Sequence, residues 1–244
     1  MKKGRPFAAF LVLLLCTLSA KAQGTFQNLN FESANVAASG VQAYGTFVPI
    51  GSALPGWTAY LGTVQVTQVG YNSPANSTAS ITLLGPNWTS SNAATYLGAG
   101  IIDGNYSVDL QTGENPLNPS PAQINASIAQ NGVVPAAAES LQFKAFETTP
   151  LTVTFNGNAL SPIALSSGVG EDGVPYTLYG ANISAWAGQT GELQFTADFN
   201  GSFNLVVLDD ITFSPNSVPE PTMLALILIG GAALAARHWR TKRV

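Results

Sequence analysis

Acids carry whatever chemistry the central part of this chain has. Residues 23–218 hold twelve of its 13 Asp and Glu residues against a single base, Lys144, for a formal net charge of −11. The only His is His238 and the only Cys is Cys16, so this stretch has neither, and it has no Arg. Nucleophilic Ser-His or Cys-His catalysis needs an imidazole to move the proton. Zinc centres are built mainly from His and Cys, and phosphate or nucleic-acid grooves from Arg and Lys. One lysine assembles none of these, so no nucleic-acid partner is expected.

What remains is oxygen chemistry. Glu32, Asp209 and Asp210 are the candidate metal ligands, because carboxylates and backbone carbonyls are what Ca²⁺ takes. The plainer reading is exposed acids at a strand end, since no loop carries a dense D-x-D-x-D-G spacing. Neighbouring strand residues face opposite sides, so at most one of Asp209 and Asp210 should point at a given site. No other cofactor is expected. Glycoside hydrolysis also needs two acids and no His. Glu171-Asp172 and Asp209-Asp210 are merely adjacent in sequence, however, and nothing marks one acid as having a raised pKa. The expectation is a protein that is not an enzyme.

Aromatic side chains offer a second chemistry, stacking on sugar rings. The candidates are Trp57, Trp88 and Trp186, with Tyr44, Tyr60, Tyr71 and Tyr96. Large aromatics more often pack in cores, and Trp57 is read that way. Trp88 lies in the polar stretch 73–94 and is the expected exposed, ligand-binding residue. Asn-x-Ser/Thr occurs at Asn76, Asn87, Asn105, Asn125, Asn182 and Asn200. We read these as chance products of a Ser/Thr/Asn-rich composition.

The elements that must position these groups alternate with period 2. Leu141, Phe143 and Ala145 alternate with Gln142 and Lys144; Leu151, Val153 and Phe155 with Thr152 and Thr154; Leu193 and Phe195 with Gln194 and Thr196. Val64 and Val66 do the same around Gln65. These are half-buried strands. Asn156-Gly157 and Asn200-Gly201 look like two-residue hairpin turns. Stretches 73–94 and 113–121, rich in Ser, Thr, Asn and Pro, are expected to be loops. The fold class is all-β: one antiparallel β-sandwich of jelly-roll type over residues 23–215.

The ends have a different composition. Residues 1–22 read as a signal peptide: Lys2, Lys3 and Arg5, then an apolar run over 7–18, then Ala20-Lys21-Ala22 before Gln23. This implies the Sec translocon and signal peptidase as partners, with cleavage after Ala22. Residues 216–244 form a tail. Its stretch 223–236 is 14 uncharged residues, as a helix roughly 21 Å long against a ~30 Å hydrocarbon core. Arg237, Arg240, Lys242 and Arg243 follow, with Trp239 among them, as at an interfacial anchor whose C-terminus is cytoplasmic. The body would then sit on the outer face of the inner membrane.

Val218-Pro219-Glu220-Pro221, then the short apolar helix at 223–236, then the basic cluster at 237–243, resembles the PEP-CTERM sorting signal. That resemblance implies recognition by an exosortase, cleavage near Pro-Glu-Pro, transient residence in the inner membrane, and onward transport to the cell surface or into exopolysaccharide. The cluster departs from the pattern where His238, Trp239 and Thr241 interrupt it. In the body, Asn28-Leu29-Asn30-Phe31-Glu32, Pro55-Gly56-Trp57 and Asp209-Asp210-Ile211 are similar, in order, to the opening strand, Pro-Gly-Trp step and closing strand of galactose-binding-like jelly rolls. Many carbohydrate-binding modules have that fold. The resemblance implies a fold rather than a ligand. The expected function is therefore an exported surface or matrix-associated structural protein. The alternative is a polysaccharide-binding module stabilised by calcium. An exposed aromatic platform would distinguish the second from the first.

Overall fold

The computed structural model describes residues 25–36, 41–42, 45–75, 77–88, 98–117 and 122–219. The expected signal peptide with Ala20, Ala22 and Gln23, the tail from Glu220 onward with its basic cluster, and Tyr44, Asn76 and Tyr96 lie outside the described residues. Two sheets face each other. The larger has nine strands in the order β1 (Val41–Gln42), β2 (Gly45–Pro49), β5 (Gln68–Tyr71), β6 (Ser80–Leu84), β7 (Ser107–Gln111), β17 (Leu205–Ser214), β11 (Ser140–Glu147), β15 (Pro175–Asn182) and β14 (Ile163–Val169). The smaller has six: β13 (Asn158–Ala159), β12 (Leu151–Phe155), β16 (Thr190–Ala197), β10 (Ala126–Val133), β3 (Thr58–Leu61) and β4 (Val64–Val66). A two-stranded ribbon joins β8 (Gly113–Glu114) to β9 (Gln123–Ile124). Among the named strands pairing is antiparallel except between β5 and β6. Among the described residues no helix is long and apolar enough to cross a membrane.

The core follows the period-2 pattern. Leu141, Phe143 and Ala145 of β11 are buried, as are Leu193, Phe195 and Ala197 of β16. The sheets meet edge-to-face where the Phe143 and Phe195 rings lie 5.2 Å apart, and Trp57 adds a third ring 6.3 Å from Phe195. Gly56, at φ +88°, takes the left-handed conformation that lets the chain turn Trp57 inward. The Trp57 indole N–H then donates to the Asn28 carbonyl at 3.0 Å, so the ring is buried without losing its polar partner.

Four local expectations need correction. Asn156 and Gly157 take φ of +48° and +73°, the geometry of a two-residue hairpin. Asn200-Gly201 does not make one, because β16 and β17 belong to different sheets and this segment crosses between them. Val64 is 50% exposed, because β4 is the last strand of its sheet and has no cover there. The supposed loop 73–94 contains β6, a buried central strand. Finally, residues 29–33 form turns rather than an opening strand, with Asn28 and Phe31 at φ +50° and +58°. The turn still abuts the closing strand, because the Ile211 N–H donates to the Leu29 carbonyl at 3.0 Å.

Candidate functional site

Asn30, Glu32, Asp103, Gly104, Asp209 and Asp210 line one pocket of about 150 Å³. A register shift brings both aspartates to it. Along β11 and β17, Gln142 pairs with Thr212 but Lys144 pairs with Asp209, so Asp210 and Ile211 together oppose the single residue Phe143. Such a bulge breaks the alternation. Asp210 sits at φ +47°, a left-handed conformation that Asp tolerates better than most residues. The expectation that the two aspartates point apart is therefore overturned.

The carboxylates converge, but on protein donors. Glu32 Oε1 accepts the backbone N–H groups of Asn105 and Tyr106 at 2.8 and 2.9 Å, and its Oε2 accepts the Asn105 amide at 2.9 Å. It caps the 103–106 turn. Asp209 is buried; its Oδ2 accepts the Ser107 hydroxyl at 2.5 Å and the Asp103 N–H at 3.1 Å, and its Oδ1 accepts the Asp210 N–H at 2.7 Å. Lys144, the one base of the body, donates to Asp103 and lies 3.1 Å from Asp210 Oδ2. It also sits 5.4 Å from the centre of the Tyr176 ring, within cation–π range. Among the described residues no group of three or more acids, His or Cys is arranged to hold a metal ion. Glu32, Asp209 and Asp210 thus share a pocket as expected, and two of the acids that line it, Asp103 and Asp210, pair with the Lys144 ammonium.

The electrostatics follow from this packing. Hydrogen bonding from Lys144 holds the Asp103 carboxyl below its ordinary value. Burial pushes the Lys144 ammonium down, but Asp103 and Asp210 outweigh it and hold its pKa above the usual lysine value. Burial pushes Asp209 up to about 7, against the opposing pull of its hydrogen bonds. A raised carboxyl is what a general acid needs, and the sequence marks none. Asp209 nevertheless faces Ser107 and backbone donors, with 1% of its surface exposed, which is a structural rather than a substrate-facing position. Beyond Lys144, an adjoining cleft of about 250 Å³ is lined by Asp103, Gly170, Glu171 and Tyr176. Sequence reasoning missed Asp103, Ser107, Lys144 and Tyr176. The available signal was the uniqueness of Lys144, since one base among twelve acids will find a partner.

The aromatic expectation also changes. Trp88 is 3% exposed and its indole N–H donates to the Ala99 carbonyl at 2.7 Å. It packs with Leu84, Ala99, Ile101, Ile102, Leu205 and Val207 in a second apolar cluster. Its polar sequence neighbours suggested exposure, but the chain folds back over the outer face of the nine-stranded sheet and buries the ring. Trp186 is half-buried against Phe155, 5.7 Å between ring centres. Among the described residues no Trp or Tyr is exposed.

No family model matches this chain, and no curated protein matches it. Among solved structures, it is similar to the carbohydrate-binding module TmCBM61 in complex with beta-1,4-galactotriose, at 12% identity and a TM-score of 0.39, covering 79% of this chain and 99% of that one.

Proposed function

We propose that the chain is an exported, non-enzymatic surface or matrix-associated protein whose sandwich is a structural body. The carrying observation is the order along the sequence: a signal segment at 1–22, the acidic body, Val218-Pro219-Glu220-Pro221, the apolar stretch 223–236, then Arg237, Arg240, Lys242 and Arg243. The body's character supports the reading. Its one base is spent on Asp103 and Asp210, and a strongly acidic surface keeps a protein soluble and apart from other acidic polymers. An exosortase would act at the Pro-Glu-Pro stretch, between the acidic body and the apolar stretch 223–236. Replacing Glu220 by Ala, or deleting residues 237–244, should leave the protein in the inner membrane, read by fractionation. Surface display of both variants at wild-type level would remove the sorting part of this reading.

The cleft beside Lys144 favours a second reading, polysaccharide binding. An ammonium, the carboxylates of Asp103 and Glu171 and the Tyr176 ring border one opening, and saccharide hydroxyls take such donors and acceptors. A glycan array should then give binding that Tyr176→Ala abolishes. A blank array leaves the structural reading alone, and binding that survives the substitution places the glycan site away from this cleft.

A further inference from the structure

A second buried acid lies on the outer face of the nine-stranded sheet. Val108 and Leu110 of β7 point into the inter-sheet core, so Ser107, Asp109 and Gln111 take the opposite face. There Asp109 pairs with Thr82 of β6 on one side and Val207 of β17 on the other. Asp109, Thr82 and Gln111 are all 0% exposed. Neither carboxylate oxygen of Asp109 has a hydrogen-bond partner, nor does Thr82 Oγ1 or Gln111 Oε1. The Gln111 amide nitrogen is already committed, donating to the Ala75 and Thr78 carbonyls. Buried polar atoms are almost always paired, so four orphans together call for a missing partner.

Thr82 stands directly opposite Asp109, and Gln111 follows two residues along on the same face. Directly opposed strand residues hold their Cβ atoms about 4.5–5.5 Å apart, and same-face neighbours two along a strand are roughly 6.6 Å apart. Next in the row is Gly70 of β5, paired with Thr82. A Cβ there would come within 2.8 Å of Thr82 Oγ1 and 3.0 Å of the Ser73 carbonyl oxygen, so the Ser73 carbonyl borders the same patch. Every unsatisfied atom is an oxygen able to accept, and one group can carry a negative charge. Only the Thr82 hydroxyl can also donate, so an anion or a neutral acceptor has a single donor here, against three atoms of the ionised site that can only accept. A hard cation suits them all, since carboxylate, amide, hydroxyl and carbonyl oxygens are its ligands.

We propose that Asp109, Thr82 Oγ1 and Gln111 Oε1, with the Ser73 carbonyl beside them, form a buried binding site for a hard metal cation, separate from the Glu32–Asp209–Asp210 pocket. The cation ties Ser73 to β6 and β7 and supplies the counter-charge that Asp109 lacks. Burial alone pushes Asp109 up to about 8, so a proton is the competing occupant, and the site fills best above that pH.

The test is thermal melting of the full chain, purified in detergent, at about pH 9, one unit above the Asp109 pKa. It compares EDTA, calcium chloride, and sodium chloride at matched ionic strength. At calcium 100 times the dissociation constant, the melting temperature should rise by roughly 5–10 °C, and sodium should not reproduce the rise. Asp109→Asn should abolish the calcium effect and Thr82→Val, which keeps the shape, should reduce it. Glu32→Gln and Asp210→Asn should retain it. A wild-type calcium shift no larger than that of sodium overturns the proposal. So does a shift that persists in Asp109→Asn or disappears in Glu32→Gln. Should Asp109→Asn fail to fold, Thr82→Val decides, and an undiminished shift in it counts against the site.

Discussion

Asp209 and Asp109 sit on the same face of neighbouring strands with 1% and 0% of their surface exposed, yet they are held in opposite ways. Asp209 has three donors: a hydroxyl and two backbone N–H groups. Asp109 has none. The backbone explains the difference. Asp209 stands where β17 bulges and where the 103–106 turn comes up against it, so N–H groups free of ladder bonds are within reach. Asp109 stands in a regular stretch between two antiparallel partners. There the ladder consumes the N–H groups, and a buried side chain must find its partner elsewhere. Irregular backbone can solvate a buried carboxylate; regular sheet cannot.

The largest expected effect comes from removing the satisfied acid. Asp209→Ala strands the Ser107 hydroxyl and the Asp103 and Asp210 N–H groups, and should cost about 3–5 kcal/mol in chemical denaturation. Asp109→Asn should instead be stabilising by about 1–3 kcal/mol above pH 8 without added metal, since it removes an unpaired charge. Similar losses in both variants would break the comparison.

The pH dependence follows from the same two acids. Both acids are raised in the folded state, Asp209 to about 7 and Asp109 to about 8, from an unfolded value of about 3.9. Between those limits the native state binds more protons than the unfolded chain, so stability must fall as pH rises. Each group contributes a slope of up to about 1.4 kcal/mol per pH unit. Stability should be greatest near pH 4, decline toward pH 8 and then level off. Asp109→Asn should roughly halve the slope between about pH 4 and 7 and abolish it between about pH 7 and 8. Denaturation midpoints that climb from pH 5 to pH 8 would contradict both assignments.

Lys144→Met removes the counter-ion of Asp103 and Asp210. Lys144 is mostly buried, but Asp103 is 48% and Asp210 37% exposed, so solvent screens part of each pair. The loss should be about 1–2 kcal/mol and shrink in high salt. A loss that is independent of salt would assign Lys144 a packing role. Smallest is Glu32→Gln. Its Oε1 can still accept from Asn105 and Tyr106, so less than about 1 kcal/mol should be lost by thermal denaturation. A larger loss would mean that the charge itself holds the turn.

The sandwich was legible where alternation is strict and one face is wet, as in Leu141-Gln142-Phe143-Lys144-Ala145. The Asn156-Gly157 turn was legible because only a few residue types accept its backbone angles. Asn200-Gly201 carried the same signal, and nothing local says that the next strand joins the other sheet. β6 was hidden because Ser80-Ile81-Thr82-Leu83-Leu84 lies among Ser, Thr and Asn residues that dilute its apolar signal. In β7, Ser107, Asp109 and Gln111 read as a solvated face. They are buried because Trp88 and Ile101, from the segments before β7, pack with Leu205 and Val207 of β17 over that face. Glu32, Asp209 and Asp210 were grouped from the oxygen ligands they offer, and the structure does place them in one pocket. The bulge at Asp210 and the arrival of Lys144 were not legible, because both depend on register between strands distant in sequence.

The contrast between the two buried acids is tested most directly by titrating the aspartate side-chain carboxyls by NMR in calcium-free buffer, with Asp109→Asn and Asp209→Asn used for assignment. Two carboxyls should titrate near pH 7 and pH 8, the higher missing from Asp109→Asn and the lower from Asp209→Asn, while Asp103 titrates below the ordinary aspartate value. Titration of Asp109 and Asp209 below pH 5 along with the exposed acids would contradict the account.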